Sequence, residues 1–236
     1  MASELKETVS KKYVFVEGER FYYDEVHLEH GRKRIDRTIA KENLEIFYKV
    51  IENSNVTYGL FFGTLLGAVR EGNFIVHDED TDIYVFEEEK IKVKALLPAF
   101  RKAGLELVRF EPYMISLMRK DEYIDLYFFQ EIKHPLGKRM RKNHYQWEFD
   151  AEPLENPERF EFLGMSFPVP ANPEYMLEVI YGKSWRTPIK DFNAPKNTLI
   201  GRVSNLAPVF KNFPFYNYIE RLLKKLGSNQ NSDIIF

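Results

Sequence analysis

An acidic run that leads directly into an apolar segment is the feature that most constrains how this chain can fold. The run holds four carboxylates within five positions, and they belong to Asp78, Glu79, Asp80 and Asp82. The apolar segment that follows, Ile83–Phe86, has the length and the aromatic and β-branched residues of a buried strand. Like charges beside a core repel one another and resist the loss of water. The sequence therefore predicts a compensating positive charge, and a divalent cation is the first candidate.

Composition restricts the class of protein. The chain has 236 residues, 44% of them hydrophobic and 30% charged, so it can build a large core. Its net charge of −2 gives no global basic field, so we expect no nucleic-acid partner. The absence of cysteine excludes disulfides and thiolate metal ligands. We find no signal-peptide pattern and no apolar run of about 18 residues, so we expect a cytoplasmic protein without a transmembrane segment.

The order of the predicted elements indicates a mixed α+β fold. A hairpin that turns at Glu17-Gly18 precedes an amphipathic helix over residues 35–53. A short strand, a short helix, a strand, a longer helix and three strands then follow at 57–62, 64–72, 82–86, 87–104, 105–110, 113–120 and 123–129. We therefore expect a small mixed sheet flanked by helices.

The chain divides into three parts on this basis. They are an N-terminal β-hairpin extension over 1–34, a core over 35–130, and a C-terminal part over 131–236 that packs on the core as one compact unit. Prolines interrupt the last part, where only 172–182 and 215–227 predict helices. We expect the rest to form an irregular layer, because its many aromatic residues are unfavourable in water. Arg221, Lys224 and Lys225 lie beside leucines and would allow peripheral contact with the inner face of a membrane.

Strand geometry groups the carboxylates. Residues two positions apart share a face of a strand, so Asp80 and Asp82 point in one direction. Asp125 lies in the apolar strand 123–129 and is the candidate for a third carboxylate. Carboxylate oxygens suit Mg²⁺ or Mn²⁺. The alternative is that the acids only cap a strand and that Asp125 lies on a sheet edge, but the apolar context of Asp82 and Asp125 favours a metal site.

A glycine and a threonine stand at the start of the short helix. Gly63 allows backbone N–H groups to approach a ligand, and Thr64 offers a hydroxyl at a helix N-terminus, where anions bind. A phosphate held there, about one strand away from metal-binding carboxylates, indicates metal-assisted phosphoryl or nucleotidyl transfer. A Gly-Thr pair alone indicates no more than a helix cap, so its value depends on its pairing with Asp80 and Asp82.

Two blocks of the sequence resemble the LicD family of phosphocholine and polyol-phosphate transferases, whose distant relatives include fukutin and fukutin-related protein. The blocks are GTLLGAVREGNFIVHDEDTDI, residues 63–83, and FLGMSFPVPANPEYMLEVIYGKSWRTP, residues 162–188. The resemblance implies a nucleotidyltransferase fold. The sequence departs from the family pattern at His77, Glu79 and Thr81, which stand where a tryptophan, an aspartate and an aliphatic residue are usual, and the identity of the donor stays open.

The resemblance also implies an activity. It implies a metal-dependent transferase that moves a phosphorylated alcohol from a CDP-linked donor, such as CDP-choline, to a hydroxyl of a cell-surface glycan. Two alternatives remain open. One is a nucleotidyltransferase that uses a nucleoside triphosphate to modify a small acceptor, and the other is a non-catalytic module that binds a glycan or a nucleotide.

The same resemblance assigns roles to the candidate residues. The catalytic carboxylates, which would bind one or two Mg²⁺ or Mn²⁺ ions, are Asp80, Asp82 and Asp125. The residues that would bind the donor phosphates are Gly63, Thr64 and Arg70, and those that would support the metal ligands are His77 and Asp78. Asp125 could also accept a proton from the attacking hydroxyl.

Overall fold

A computed structural model describes residues 10–28, 33–133, 139–143 and 147–188. Its strands are β1 (Ser10–Val16), β2 (Glu19–Glu25), β3 (Tyr58–Leu60), β4 (Thr81–Phe86), β5 (Glu106–Glu111), β6 (Met114–Arg119), β7 (Glu122–Lys133), β8 (Arg139–Lys142), β9 (Glu148–Asp150), β10 (Glu158–Phe162) and β11 (Met165–Val169). Its helices are α1 (Arg37–Ile51), α2 (Phe62–Glu71), α3 (Lys90–Ala95), α4 (Leu97–Lys102), α5 (Ala151–Glu155) and α6 (Pro173–Tyr181). The predicted helix over 215–227, with its basic residues, lies outside the described residues.

A mixed sheet forms the centre of the molecule, as the sequence predicts. Its strands lie in the order β3-β4-β7-β6-β5, and the far end of β7 also pairs with β8, which pairs with β9. The β4–β7 pair is parallel and the other pairs are antiparallel. All six residues of β4 and the first eight of β7 are buried, so the two strands form the middle of the core. Their register places Asp82 directly opposite Asp125.

Helices cover the sheet because each presents an apolar stripe to it. In α1 the buried residues Ala40, Leu44, Phe47 and Ile51 recur at helical spacing. The side chain of Asp36 caps this helix by accepting hydrogen bonds from the backbone amides of Thr38 and Ile39. Helix α2 packs on β4 and on α6, and ends at Gly72, whose φ of 63° is readily adopted only by glycine.

The prediction of a single helix over 87–104 is wrong. The segment instead forms a 3₁₀ turn at Glu87–Glu89 and the two short helices α3 and α4, which are separated at Leu96. Pro98 explains the break, since proline has no N–H to donate and its ring would clash with the carbonyl four residues earlier. It stands instead in the first turn of α4, where a missing N–H has no cost.

The predicted N-terminal hairpin is confirmed and packs against the edge strand β5. It turns at Glu17 and Gly18, both with positive φ, as two-residue hairpin turns require. The amide of Val26 donates to the carbonyl of Val108 in β5 at 2.9 Å. The guanidinium of Arg101 stacks over the ring of Phe21 at 3.8 Å and holds the other side of the hairpin.

The described part of 131–236 is more regular than the irregular layer that the sequence predicts. Strand β7 continues to Lys133, across the predicted boundary at residue 130, and β8 and β9 extend the sheet. The β10–β11 pair forms a second hairpin, and α6 confirms the helix predicted over 172–182. Within the described ranges, no helix combines the length and the apolar composition needed to cross a bilayer.

Candidate functional site

Asp82 joins strand β4 to helix α2 through both its backbone and its side chain. Its amide donates to Oγ1 of the fully buried Thr64 at 2.8 Å, and its carbonyl accepts from the amide of Phe61 at 3.0 Å. Its Oδ2 accepts from the amide of Gly63 at 2.9 Å. Two of the three residues predicted to bind phosphate therefore hold Asp82 in this structure, and their contact with a donor phosphate stays a prediction.

Three aspartates bring their carboxylates together at the start of β4. One oxygen each from Asp78, Asp80 and Asp82 lies within 4.8 Å of the others. The predicted meeting of Asp80 and Asp82 is confirmed, and the loop that precedes β4 brings Asp78 to them. The Oδ2 atom of Asp78 is buried and has no hydrogen-bond partner. A Cβ on Gly63 would overlap that oxygen, so the glycine provides the space that it occupies.

The surroundings of these carboxylates favour their neutral forms. Burial is the largest cause and raises the pKa of Asp80 and Asp82 well above its ordinary value; the neighbouring carboxylates raise it further. Burial, together with Glu79 and Glu71, raises the pKa of Asp78 to about 6. The cluster fits a cation, because the cation's charge would offset both effects.

Asp125 lies beside the three aspartates but has partners of its own. Its Oδ2 accepts from Nη2 of Arg109 at 2.7 Å and its Oδ1 from Oγ of Ser116 at 2.5 Å. Burial raises the pKa of Asp125, whereas the Arg109 charge lowers it. The predicted meeting of Asp82 and Asp125 on adjacent strands is confirmed. Among the described residues, however, the close oxygen cluster has Asp78 as its third member instead of Asp125, and the role of Asp125 as a metal ligand stays a prediction.

A cavity of about 380 Å³ reaches the aspartate cluster at Asp78, which lines it. Gly63, Arg70, His77, Asp78, Tyr181 and Trp185 are among its lining residues, so the cavity brings α2, the acidic run and the end of α6 together. Burial and the charges of Asp82, Asp78 and Asp80 raise the pKa of the Tyr181 hydroxyl, which keeps it neutral. Trp185 is 4% exposed. Its ring is covered by the guanidinium of Arg186 at 4.2 Å.

Arg70 lines this cavity, and one nitrogen of its guanidinium has no hydrogen-bond partner. Its Nη1 donates to the carbonyl of Trp185 at 3.1 Å and its Nη2 to Oε1 of Glu71 at 2.8 Å. Its Nε is buried and has no hydrogen-bond partner. A buried donor without an acceptor is costly, so this atom fits an anionic or hydroxyl group of a ligand in the cavity.

Two residues of the site, Arg109 and Ser116, are absent from the sequence prediction. The only available signal is that each is polar within an otherwise apolar predicted strand. Plain alternation along β5 places Arg109 on the same face as Leu107, away from Asp125. The register of β5 and β6 shifts between these two residues, and this irregularity turns Arg109 towards Asp125.

Comparisons with known proteins agree with the geometry. The family model "LicD/FKTN/FKRP, nucleotidyltransferase domain" matches residues 55–172, half of the chain. Human ribitol-5-phosphate transferase FKTN is 30% identical over 165 residues, which cover 66% of this chain and 35% of that protein. Lipopolysaccharide cholinephosphotransferase LicD of Haemophilus influenzae is 34% identical over 56 residues, which cover 24% of this chain and 21% of that protein. This chain thus spans about a third of the length of the fukutin relatives that it matches.

A solved structure gives a more distant likeness. The lincomycin-bound lincosamide antibiotic adenylyltransferase LnuA superposes with a TM-score of 0.40 at 17% identity, over 58% of this chain and 84% of that one. The family match itself covers β3, α2, β4 and β7, and so includes the three clustered aspartates and Asp125. The chain belongs to the LicD/FKTN/FKRP nucleotidyltransferase-domain family.

Proposed function

We propose that this chain is a metal-dependent transferase that moves a phosphorylated alcohol from a CDP-linked donor to a hydroxyl of a glycan. The observation that carries the proposal is the cluster of Asp78, Asp80 and Asp82, of which Asp78 lines a ligand-sized cavity. The names of the fukutin and LicD relatives support it, since one transfers ribitol 5-phosphate and the other cholinephosphate to lipopolysaccharide. Both reactions move a phosphorylated alcohol.

The donor set fits Mg²⁺ or Mn²⁺. Asp78, Asp80 and Asp82 offer hard oxygen ligands within 4.8 Å of one another, and the Oδ2 of Asp78 lacks any other partner. We assign the cation to these three residues. When bound, it supplies charge neutralisation for a pyrophosphate and for the departing CMP.

The remaining residues of the site have separate tasks. Arg70 lines a cavity large enough for part of the donor, and its guanidinium would donate to a phosphate or hydroxyl oxygen there. Asp125, held by Arg109 and Ser116, would accept the proton of the attacking glycan hydroxyl. The neutral Tyr181 hydroxyl and the buried Trp185 line the cavity and would contact the donor there.

A binding and turnover experiment tests this proposal. Purified protein with Mn²⁺ is mixed separately with CDP-choline, CDP-ribitol, CDP-glycerol, ATP and CTP, and the melting temperature and the release of CMP are measured. We expect one of the CDP-linked compounds to raise the melting temperature most and to release CMP slowly to water. A larger shift with ATP or CTP than with every CDP-linked compound would contradict the proposal and favour nucleotidyl transfer.

Matched variants connect that result to the cluster. Asp80→Asn should abolish CMP release, because it removes a ligand charge with almost no change of shape. Glu79→Gln removes the same charge one position away and should keep most of the activity, since its side chain lies outside the cluster of three. Equal loss in the two variants would contradict the assignment of the carboxylates.

A further inference from the structure

Four polar residues form a straight row across four neighbouring strands. Arg109 of β5 is paired with Ser116 of β6, Ser116 with Asp125 of β7, and Asp125 with Asp82 of β4. Directly opposed residues share a face of the sheet, so all four side chains project to the same side. The row therefore leads from the edge of the sheet to the aspartate cluster.

An irregularity in β5 is what places Arg109 in the row. Leu107 is paired with Leu117, but the next paired residues are Arg109 and Ser116, so Val108 is an extra residue. In regular pairing Val108 would stand opposite Ser116, and Arg109 would share the face of Leu107. The carbonyl of Val108 accepts from the amide of Val26, so the N-terminal hairpin stabilises the irregular position.

The contacts within the row use both oxygens of Asp125. Arg109 donates from Nη2 to Oδ2 of Asp125 at 2.7 Å and from Nε to Oγ of Ser116 at 2.8 Å, and that hydroxyl donates to Oδ1 of Asp125 at 2.5 Å. The triangle is closed, and Ser116 and Asp125 are 0% and 2% exposed. Asp125 therefore cannot rotate towards the cluster without breaking two charge-assisted hydrogen bonds, of which the one from Ser116 is fully buried.

We propose that Arg109 and Ser116 are positioning residues that keep Asp125 out of the cation's ligand set and hold it as a separate carboxylate of the site. The inference rests on the proposed function, since that function supplies the cation. The four carboxylates of the site have different partners. Those of Asp78, Asp80 and Asp82 lie close to one another, whereas that of Asp125 pairs with the guanidinium of Arg109. If Arg109 and Ser116 only stabilised the fold, their replacement would not strengthen cation binding. Because they withhold Asp125 from the cation, we expect their replacement to strengthen it.

Mn²⁺ affinity, measured by calorimetry without any donor, tests the inference independently of turnover. Arg109→Met removes a positive charge near the cation and frees Asp125, so we expect Mn²⁺ to bind about tenfold more tightly than to the wild type. The gain should disappear in Arg109→Met/Asp125→Asn, and Asp125→Asn alone should change the affinity by less than about threefold. Arg119→Met is the matched control: this β6 arginine pairs with Glu42, and its loss should leave the affinity unchanged.

Each outcome supports or overturns the inference. Unchanged or weaker Mn²⁺ binding by Arg109→Met would overturn the positioning role, and a large loss of affinity in Asp125→Asn would overturn it by showing that Asp125 is an ordinary ligand. If Arg109→Met does not fold, Arg109→Lys and Ser116→Ala carry the test, and each should bind Mn²⁺ more tightly by a smaller factor. A wild type that binds no Mn²⁺ contradicts the proposed function, whereas a wild type that binds Mn²⁺ without a gain in these variants contradicts only the positioning role.

Discussion

Gly63 occupies a position where a single added carbon reaches the centre of the site. A Cβ at this residue would overlap the unpartnered oxygen of Asp78, and the residue's amide donates to Asp82. Two of the three clustered carboxylates thus depend on it. Because the overlap is with a side chain that can swing away, the protein should still fold and Asp78 should be displaced.

We therefore predict that Gly63→Ala weakens Mn²⁺ binding by about tenfold or more, the effect of losing one charged ligand. The measurement is a calorimetric titration of the metal-free protein. Gly164→Ala is the control: this turn glycine has φ of 86° and open space around it, so it should lower stability and leave Mn²⁺ affinity intact. Unchanged affinity in Gly63→Ala would remove Asp78 from the proposed ligands.

The residues of the site differ in how visible they are in the sequence. Asp80, Asp82 and Asp125 can be chosen because they interrupt or flank apolar strands, and parity groups the first two. Asp78 is assigned only a supporting role, because it precedes the predicted strand and its separation from the other carboxylates depends on the loop path. Arg109 cannot be placed at all from periodicity, since the extra residue in β5 reverses its face.

At the scale of elements, the join between α2 and β4 depends on one hydroxyl. Oγ1 of Thr64 accepts from the amide of Asp82 where both are buried. We predict that Thr64→Val, which keeps the shape and removes the acceptor, lowers the free energy of unfolding by about 1–3 kcal/mol. Thr64→Ser keeps the hydroxyl and should cost about 1 kcal/mol for the lost methyl group. Urea unfolding of the two variants measures the difference, and equal costs would show that the hydrogen bond contributes little.

The sequence predicts helices and strands correctly where the apolar pattern is strong. It fails where an element is defined mainly by the turn beside it. Strands β4 to β7 are almost wholly apolar on at least one face, and they fall where the sequence places them. Strands β10 and β11 form a hairpin whose turn, Leu163-Gly164, lacks the usual Asn-Gly signal, and Pro168 argues against a strand. That proline is tolerated because β11 pairs with a single neighbour in its two-stranded sheet.

At the scale of the whole molecule, the clustered aspartates should make stability depend on pH. Their pKa is raised in the folded state, to about 6 for Asp78, so folding favours their protonated forms. The stability that these groups contribute is fully present below their unfolded pKa, near 4, and is lost as pH rises through the folded pKa. A cation at the cluster should restore it at neutral pH.

We predict that the melting temperature of the protein in EDTA, relative to that of Asp80→Asn, falls as the pH rises above about 4, the ordinary pKa of an aspartate, because the pKa of Asp80 is raised in the folded state. The comparison removes the pH dependence that both proteins share. Addition of Mg²⁺ at pH 7 should raise the wild-type melting temperature and leave Asp80→Asn almost unchanged. A difference between the two proteins that does not vary with pH would contradict the raised pKa values.

The parallel pairing of β4 with β7 also fixes the order in which the molecule is assembled. The two strands are separated along the chain by α3, α4, β5 and β6, so Asp82 meets Asp125 only after that entire intervening segment has folded back. During synthesis, residues up to Lys133 complete the aspartate cluster and the Arg109 row, whereas Tyr181 and Trp185, which wall the cavity, emerge later. If the cluster binds the proposed cation, a nascent chain would have the cation's site before it has a cavity in which to hold a donor.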